Sequence, residues 1–219
     1  MDIKQTSYCG IYELWIGKRR LLLTNSLDGK TFFNEKLIDG YREIDARRSK
    51  LAAAVVKKIS FLPFKKGNKI LYLGASHGYT PSFISDIVGE NGLVFCIDFA
   101  PRVVRDLLLL CEKRNNMVPI LADANRPLTY KDRIEKCDIL YQDVAQRNQI
   151  DIFLKNFIHI KPKGYAMLAV KARSIDVTKN PEKIAKEIYS ILSQKTRIID
   201  YKNLSPLEKD HYFFVCQLK

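Results

Sequence analysis

The sequence predicts an α/β fold, in which helices cover both faces of a mainly parallel sheet and a small antiparallel β subdomain precedes that sheet. Apolar runs typical of buried strands alternate with helical stretches after residue 46. A loop bounded by Gly74 and Gly78 follows the first of these runs, and Asp98 follows the second. Before residue 47, turn residues separate short alternating runs instead. We therefore divide the chain into a subdomain over residues 1–46 and a main domain over residues 47–219.

A β-hairpin is predicted near the start of the chain. Residues 11–16 and 19–24 are rich in apolar and β-branched residues, and Gly17-Lys18 separates them. A further short strand is predicted over residues 31–33, after a turn at residues 28–29. The subdomain could cover one edge of the main sheet or contact a partner or RNA, and the sequence leaves both roles open.

Cations surround the predicted start of the first helix. Ser49 is the candidate N-cap of a helix that contains residues 51–56, and Arg47, Arg48 and Lys50 are its neighbours. Because the helix dipole disfavours cations in a first turn, this cluster suggests a task such as holding phosphate. A solvated run of charge is the ordinary alternative.

A βαβ unit over residues 69–98 is the centre of the prediction. Gly74 and Gly78 let the backbone turn sharply and approach a ligand closely, because glycine has no Cβ. Thr80 is the predicted N-cap of the following helix, with Pro81 at its first position. The loop reads GxxxG rather than GxGxxG, so a nucleoside cofactor such as S-adenosylmethionine is favoured over NAD.

The rest of the chain continues the alternation of helices and strands. Helices are predicted over residues 101–115, 148–159 and 181–193, strands over residues 118–121, 138–143 and 165–170, and a terminal antiparallel hairpin over residues 198–201 and 212–218.

Polar residues follow or end four of the predicted strands, namely Asp98, Asp123, Asp143 and Lys171. Because the carboxyl ends of parallel strands meet at one edge, these residues should converge on one crevice. Three carboxylates suit a cationic sulfonium cofactor that carries a ribose and an adenine. We expect Asp98 to accept the ribose hydroxyls and Asp143 to lie nearest the sulfonium. Asp123, with the amide of Ala124, would bind the adenine edge.

The composition of the chain indicates which classes of partner it can bind. The formal net charge of +13 and the pI of about 9.5 point to a polyanion, most plausibly nucleic acid, although a lysine-rich thermophile surface is the alternative. No apolar run approaches the roughly 20 residues of a membrane span, so no membrane partner is expected. The five cysteines form no CxxC motif, which indicates a reducing compartment and no metal site.

Six segments resemble fibrillarin, the family of 2′-O-methyltransferases of box C/D ribonucleoproteins; they are residues 41–43, 48–53, 71–75, 85–89, 141–146 and 171–176. The resemblance covers nearly the whole chain, and the lack of a Gly/Arg-rich N-terminal tail is similar to the archaeal form. It implies a Rossmann-like, S-adenosylmethionine-dependent methyltransferase fold behind a small N-terminal antiparallel β subdomain. It also implies RNA-guided ribose methylation of rRNA and tRNA.

The resemblance also implies roles for individual residues. The implied catalytic group is Lys50, Asp123, Asp143 and Lys171. The cofactor-binding residues, including the two loop glycines, are Gly74, Gly78, Tyr79, Thr80, Asp98, Phe99, Asp123, Ala124, Asp143, Val144, Ala145 and Gln146. The expected RNA-binding residues are Arg47, Arg48 and Arg173. The chain departs from the family at His77 and Tyr79, which are bulkier than the usual Ser and Thr, at Asp98, where Glu is frequent, and at Ile44, where Trp is frequent.

Implied partners are a box C/D guide RNA, the substrate RNA, a Nop5-type scaffold protein and an L7Ae-type kink-turn protein. The location expected for an archaeal-type member is the cytoplasm, and the nucleolus only for a eukaryotic source. Either Lys50 or Lys171 could take the proton from the ribose hydroxyl. The alternatives are a methyltransferase that acts on a nucleobase or a protein glutamine, a nicotinamide-dependent oxidoreductase, and a non-catalytic RNA-binding scaffold.

Overall fold

The computed structural model describes residues 2–219 and contains two sheets. The N-terminal sheet has the strand order β1-β2-β3-β5-β4. Its strands are β1 (Lys4–Gln5), β2 (Ile11–Ile16), β3 (Arg19–Asn25), β4 (Leu37–Ile38) and β5 (Tyr41–Glu43). The predicted hairpin is confirmed, because β2 and β3 pair antiparallel and Ile16 lies opposite Arg19 across a two-residue turn.

The strand predicted over residues 31–33 is wrong, since the chain bends there. The backbone N–H groups of Phe32 and Phe33 donate to the Glu35 carboxylate, at 3.1 and 2.7 Å, instead of to a neighbouring strand. The pairing strands form a few residues later, as β4 and β5.

The main sheet has seven strands in the order β11-β12-β10-β9-β6-β7-β8. They are β6 (Lys69–Leu73), β7 (Leu93–Asp98), β8 (Met117–Leu121), β9 (Cys137–Gln142), β10 (Ile160–Lys171), β11 (Thr196–Asn203) and β12 (His211–Leu218). The first five are parallel to one another, and β12 lies antiparallel between β10 and β11. Both the predicted terminal hairpin and the Rossmann-like α/β class are confirmed.

Six α-helices accompany the main sheet in the described residues: α1 (Lys50–Val56), α2 (Tyr79–Val88), α3 (Pro101–Cys111), α4 (Gln149–Lys155), α5 (Ala172–Ile175) and α6 (Pro181–Lys195). Ser49 caps α1 as predicted, because its side chain accepts from the N–H of Ala52. The predicted N-cap at Thr80 is wrong. Gly78 occupies that position with φ +89°, a conformation that glycine adopts readily, and the Thr80 hydroxyl donates to Ser49 Oγ at 3.2 Å.

Apolar side chains fill both faces of the main sheet. On one face Leu51, Phe83 and Leu107 come from α1, α2 and α3. On the other face Phe153 and Ile188 come from α4 and α6. Alternate residues of each central strand enter the two cores, so the sheet is covered on both sides and its carboxyl edge remains the open side.

Charged side chains are buried between the N-terminal sheet and α2. We call Glu35, Arg42, Asp86 and Arg114 the buried ionic cluster. Arg42 is fully buried and lies 2.6 Å from Glu35 and 2.9 Å from Asp86. Arg114 lies 2.5 Å from the other oxygen of Asp86. This cluster joins the N-terminal sheet to α2 of the main domain. The domain boundary at residue 46 stays a prediction. Among residues 2–219, no helix is both long and apolar enough to cross a membrane.

Candidate active site

The four polar residues at the strand ends lie along the carboxyl edge of the main sheet. Asp98 ends β7, Lys171 ends β10, Asp143 follows β9 directly and Asp123 lies two residues beyond β8. The strands β9 and β10 are neighbours, as the predicted meeting of Asp143 and Lys171 requires. The edge is therefore lined by carboxylates and one lysine from four different parallel strands.

The loop after β6 places its backbone against the end of β9. Gly74 has φ +79°, and a Cβ there would lie 2.4 Å from the carbonyl oxygen of Asp143. Only glycine fits this approach. Glycine is required at position 78 for a different reason, because a Cβ there would collide with Leu110 of α3. Gly78 lines neither of the two cavities at this edge of the sheet. Gly74 shapes the site directly, whereas Gly78 serves the start of α2.

The Asp98 carboxylate is held by two backbone amides. Ser76 N–H donates to Oδ2 at 2.9 Å and Ala100 N–H donates to Oδ1 at 3.1 Å. To present its N–H, Ser76 adopts φ +50°, a left-handed conformation that costs a non-glycine residue about 1–2 kcal/mol. Each carboxylate oxygen has a second lone pair, so Asp98 can still accept from a ligand hydroxyl.

A cavity of about 270 Å³ opens beside Asp98. Its wall contains eight of the predicted cofactor-binding residues: Gly74, Asp98, Phe99, Ala124, Asp143, Val144, Ala145 and Gln146. Ser76, Ile97 and Ala122 complete it. The wall is mostly apolar and contains two carboxylates, Asp98 and Asp143, which suits a flat base joined to a sugar.

A larger cavity of about 600 Å³ lies on the other side of Gly74. Tyr79, Thr80 and Lys50 line it, as do residues that the sequence did not single out as ligands, notably Phe33 and Lys113. The two cavities share Gly74, Ser76 and Asp143 in their walls. An elongated ligand could therefore extend from one cavity into the other, passing Asp143.

Lys50 and Asp143 form an ion pair at this junction. The Lys50 Nζ lies 3.3 Å from Asp143 Oδ2, and each side chain is about one fifth exposed. Beneath them Tyr72 stacks on Tyr141 with ring centroids 4.6 Å apart. Burial raises the pKa of both phenols well above the usual value, and the Asp143 carboxylate adds to that effect. Both phenols stay neutral, so Lys50 and Asp143 are the charges at the junction.

Aromatic packing fixes the mouth of the larger cavity. The Arg48 guanidinium lies 4.1 Å from the centroid of the Tyr79 ring, and Arg48 Nη1 donates to the carbonyl of Phe33. Tyr79 packs edge-on against Phe33, with its hydroxyl accepting from the N–H of Asp45 at 3.1 Å. Tyr79 and Arg48 are therefore ordered parts of the wall. His77 lies in the same wall, 3.4 Å from Asp106.

Four predicted site residues do not join this group through their side chains. Asp123 accepts from the N–H of Asn125 at 2.8 Å and lines neither cavity. Lys171 is exposed, and its ammonium makes no ion pair within the described residues. Arg173 pairs with Asp210 at 3.1 Å and donates to a backbone carbonyl at residue 177, so its guanidinium is already engaged. Arg47 is exposed beside α1.

Sequence reasoning missed the lining contributed by distant elements. Ser76 could have been found, because it lies inside the glycine loop that was already assigned to the ligand. Phe33 and Lys113 carry no local signal, since they reach the cavity only through the packing of the N-terminal sheet and α3 against α2.

Comparisons with known proteins agree with this geometry. A family model described as Fibrillarin matches residues 3–219. The fibrillarin-like rRNA/tRNA 2′-O-methyltransferase of Methanocaldococcus jannaschii is 46% identical over 223 residues, covering 98% of this chain and 96% of that protein. Fibrillarin of Aeropyrum pernix, solved with natively bound S-adenosyl-L-methionine, is 38% identical with a TM-score of 0.89 and covers 99% of this chain and 98% of that one.

The fibrillarin of a solved fibrillarin/Nop5p complex is 35% identical with a TM-score of 0.90, and the match covers 98% of this chain and 100% of that one. The family model and the relatives thus span both sheets and the whole of the cleft. The chain belongs to the fibrillarin family.

Proposed function

We propose that this chain transfers a methyl group from S-adenosylmethionine to ribose 2′-hydroxyls of rRNA and tRNA. The observation that carries the proposal is the pair of cavities that meet at Asp143, with the Lys50 ammonium beside it. A carboxylate and an ammonium at the junction can hold a cationic cofactor and a hydroxyl nucleophile at the same point. The relative from M. jannaschii is named for this activity, and the A. pernix relative holds this cofactor.

The residues of the cleft fit the cofactor. Asp98 retains lone pairs for ribose hydroxyls, and the smaller cavity offers apolar walls at Ala124 and Val144 for adenine. Tyr79 and Thr80, in the larger cavity, would face the methionine end. When bound, S-adenosylmethionine supplies a methyl group on a positively charged sulfur. A nearby carboxylate would attract that positive charge.

The chain's own residues then have to orient and deprotonate the ribose hydroxyl. Holding two reactants in line contributes about 7–11 kcal/mol, so orientation is the larger part of the task. Lys50 holds Asp143 in place through their ion pair. The Lys171 side chain forms no ion pair among the described residues and is exposed, so it is available to the substrate. As an ammonium it would polarise the hydroxyl, and as a neutral amine it would receive the hydroxyl proton. Asp123 lies between Ala122 and Ala124 of the smaller cavity wall, and its Oδ1 accepts from the N–H of Asn125.

Partners follow from the same proposal. The net charge of +13 suits RNA, and Arg47 is exposed next to the cleft for a flanking phosphate. A relative assembles with Nop5p, and we propose an equivalent scaffold for this chain. A box C/D guide RNA and an L7Ae-type kink-turn protein would complete the particle, in the cytoplasm of an archaeal-type source.

The first test is calorimetric titration of the chain with S-adenosylmethionine and, separately, with NAD. Binding of the first and not the second is expected, because the cleft offers the carboxylates of Asp98 and Asp143 for a ribose and a sulfonium. Binding of NAD alone would contradict the proposal.

The second test measures methyl transfer to RNA, first by the chain alone and then with guide RNA and a Nop5-type protein added. The isolated chain should be a poor enzyme, because its surface is basic but carries no base-reading motif. Efficient, site-selective methylation of naked RNA by the chain alone would contradict the requirement for a guide. No transfer to a 2′-hydroxyl in the assembled particle would contradict the activity itself.

A further inference from the structure

The carboxamide of Gln149 binds the backbone of Lys171. Gln149 is the first residue of α4 and is fully buried. Its Nε2 donates to the carbonyl of Lys171 at 3.2 Å, and its Oε1 accepts from the N–H of Lys171 at 3.2 Å. A primary amide carries the same donor and acceptor as a peptide group, so Gln149 pairs with Lys171 much as a neighbouring strand would.

Lys171 needs such a partner because β9 has already ended. The pairing of β9 with β10 stops at Gln142 opposite Leu168, three residues before Lys171. On its other side β10 continues along β12, and the N–H of Ala172 donates to the carbonyl of Asp210. A backbone group left unpaired here would lose the hydrogen bond that water or a strand normally supplies. The Gln149 side chain fills the place of the missing strand.

The same carboxamide holds the loop that contains Asp143. Gln149 Nε2 also donates to the carbonyl of Gln146 at 3.0 Å. Gln142, itself fully buried, donates from its Nε2 to the carbonyl of Gln149 at 2.7 Å. Among residues 2–219, these hydrogen bonds are the ones that connect the loop after β9 with the end of β10. Beyond the last ladder pair, Gln142 and Leu168, the side chain of Gln149 is therefore what connects the loop after Asp143 with the backbone of Lys171.

We propose that Gln149 is a positioning residue for methyl transfer, which acts by fixing Lys171 relative to the loop that carries Asp143. The inference rests on the proposed function, in which Lys171 acts on the ribose hydroxyl. Misplacement of a reacting group by about 1 Å can cost roughly 10²-fold in rate. Gln149→Leu replaces the carboxamide by an apolar group of similar size and removes all three side-chain hydrogen bonds. It should lower the single-turnover rate by roughly that factor at saturating cofactor and RNA.

The test is a double-mutant cycle in the particle assembled with guide RNA and a Nop5-type protein. Single-turnover rates are measured for the wild type, Gln149→Leu, Lys171→Ala and the double variant. If Gln149 acts through Lys171, the double variant is as slow as Lys171→Ala alone, because there is no ammonium left to position. Cofactor affinity, measured by titration, should change far less than the rate in Gln149→Leu.

Asn116 offers a matched control. It is a buried carboxamide whose Nδ2 donates to the carbonyls of Ser85 and Gly89, both at 3.0 Å, and it lines neither cavity of the cleft. Asn116→Leu should destabilise the fold in a similar way and leave the single-turnover rate of the folded protein unchanged. An equal rate loss in this variant would assign the effect of Gln149→Leu to general loosening and overturn the proposal.

The remaining outcomes distinguish the role of Gln149 from that of Lys171. Suppose that Lys171→Ala is slow. A wild-type rate in Gln149→Leu then overturns the role of Gln149, and so does a double variant whose rate loss is the product of the two single rate losses. Either result leaves the proposed function intact. A wild-type rate in Lys171→Ala overturns the role of Lys171 and that of Gln149 together. If Gln149→Leu does not fold, Gln149→Glu replaces it. That variant keeps the acceptor for the Lys171 N–H, loses the donor, and should be about tenfold slower.

Discussion

Two pairs of opposite charges show how environment divides aspartates between chemistry and stability. Asp143 meets Lys50 at the junction of the two cavities, with each side chain about one fifth exposed. Asp86 meets Arg42 behind α2, and neither side chain is exposed at all. The first carboxylate has one cationic partner at 3.3 Å and an open cavity on either side. The second accepts from Thr24, Leu27, Arg42 and Arg114.

In the pair of Asp86 and Arg42, which serves stability, the hydrogen-bonding capacity of the carboxylate is fully used. A buried ion whose lone pairs are all occupied cannot bind a ligand, and removing it leaves its partners charged and unpaired. A partly exposed ion pair contributes little to stability because water already solvates both charges. It keeps the capacity to bind something else.

Removing the carboxylate of the partly exposed pair, Asp143 and Lys50, should change the methylation rate more than any other substitution considered for the two pairs. Asp143→Ala should lower the single-turnover methylation rate by about 10²–10⁴-fold, the usual contribution of a positioned acid–base group. It should also weaken the binding of S-adenosylmethionine, since Asp143 lies in the walls of both cavities. Its unfolding free energy should fall by no more than about 1 kcal/mol. A rate within a few-fold of the wild type would remove Asp143 from the reaction.

The buried aspartate should behave in the opposite way. Asp86→Ala leaves Arg42 and Arg114 without their shared partner, so the free energy of unfolding should fall by about 3–5 kcal/mol in urea denaturation. At a low temperature, where the variant is folded, its methylation rate should match that of the wild type. Asp151→Ala is the control, because Asp151 forms an exposed pair with Lys155 on α4 and should cost less than 1 kcal/mol. Equal losses in the two variants would contradict the distinction.

A third variant tests the cofactor side of the open site. Asp98→Ala removes the carboxylate beside the smaller cavity and should weaken S-adenosylmethionine binding by about 1–3 kcal/mol, as expected for a hydrogen bond to a charged group. Asp98→Glu is the matched control, since it keeps a carboxylate at this position and should retain most of the affinity. An unchanged affinity in Asp98→Ala would place the ribose elsewhere.

The sequence predicted the open site better than the buried cluster, and there is a physical reason. Strand ends are legible because apolar runs mark each strand, and parallel pairing brings their ends to one edge; Asp98 and Asp143 were found in this way. Ser49 was found because N-capping is local. Arg42 and Asp86 are 44 residues apart, and only the packing of the N-terminal sheet on α2 brings them together.

The errors have the same origin. The strand over residues 31–33 was predicted from β-propensity alone, but Glu35, held by Arg42, takes the amides that a strand would pair. Thr80 and Pro81 carry a strong helix-start pattern. The backbone nevertheless enters α2 one residue before Thr80, since Gly78 supplies the left-handed turn. In the site, the carboxamide bridge from Gln149 to Lys171 has no sequence signal, because it depends on where β9 stops.

The smallest expected effect is the pH dependence of the buried ionic cluster. Burial alone would raise the pKa of Glu35, but the Arg42 charge and backbone N–H donors outweigh burial and hold that pKa below its usual value. The stability that Glu35 contributes is therefore present above its unfolded pKa and is lost as the pH falls through the lower, folded pKa. Because burial and the guanidinium act in opposite directions, the net contribution is small.

Glu35→Gln should flatten the fall of the melting temperature below about pH 4.5, the ordinary pKa of a glutamate. Glu187→Gln, which removes an exposed carboxylate on α6 that pairs with Lys179, should leave that fall almost unchanged. If the melting temperatures of Glu35→Gln and the wild type fell equally at acid pH, protonation of Glu35 would not be what destabilises the cluster.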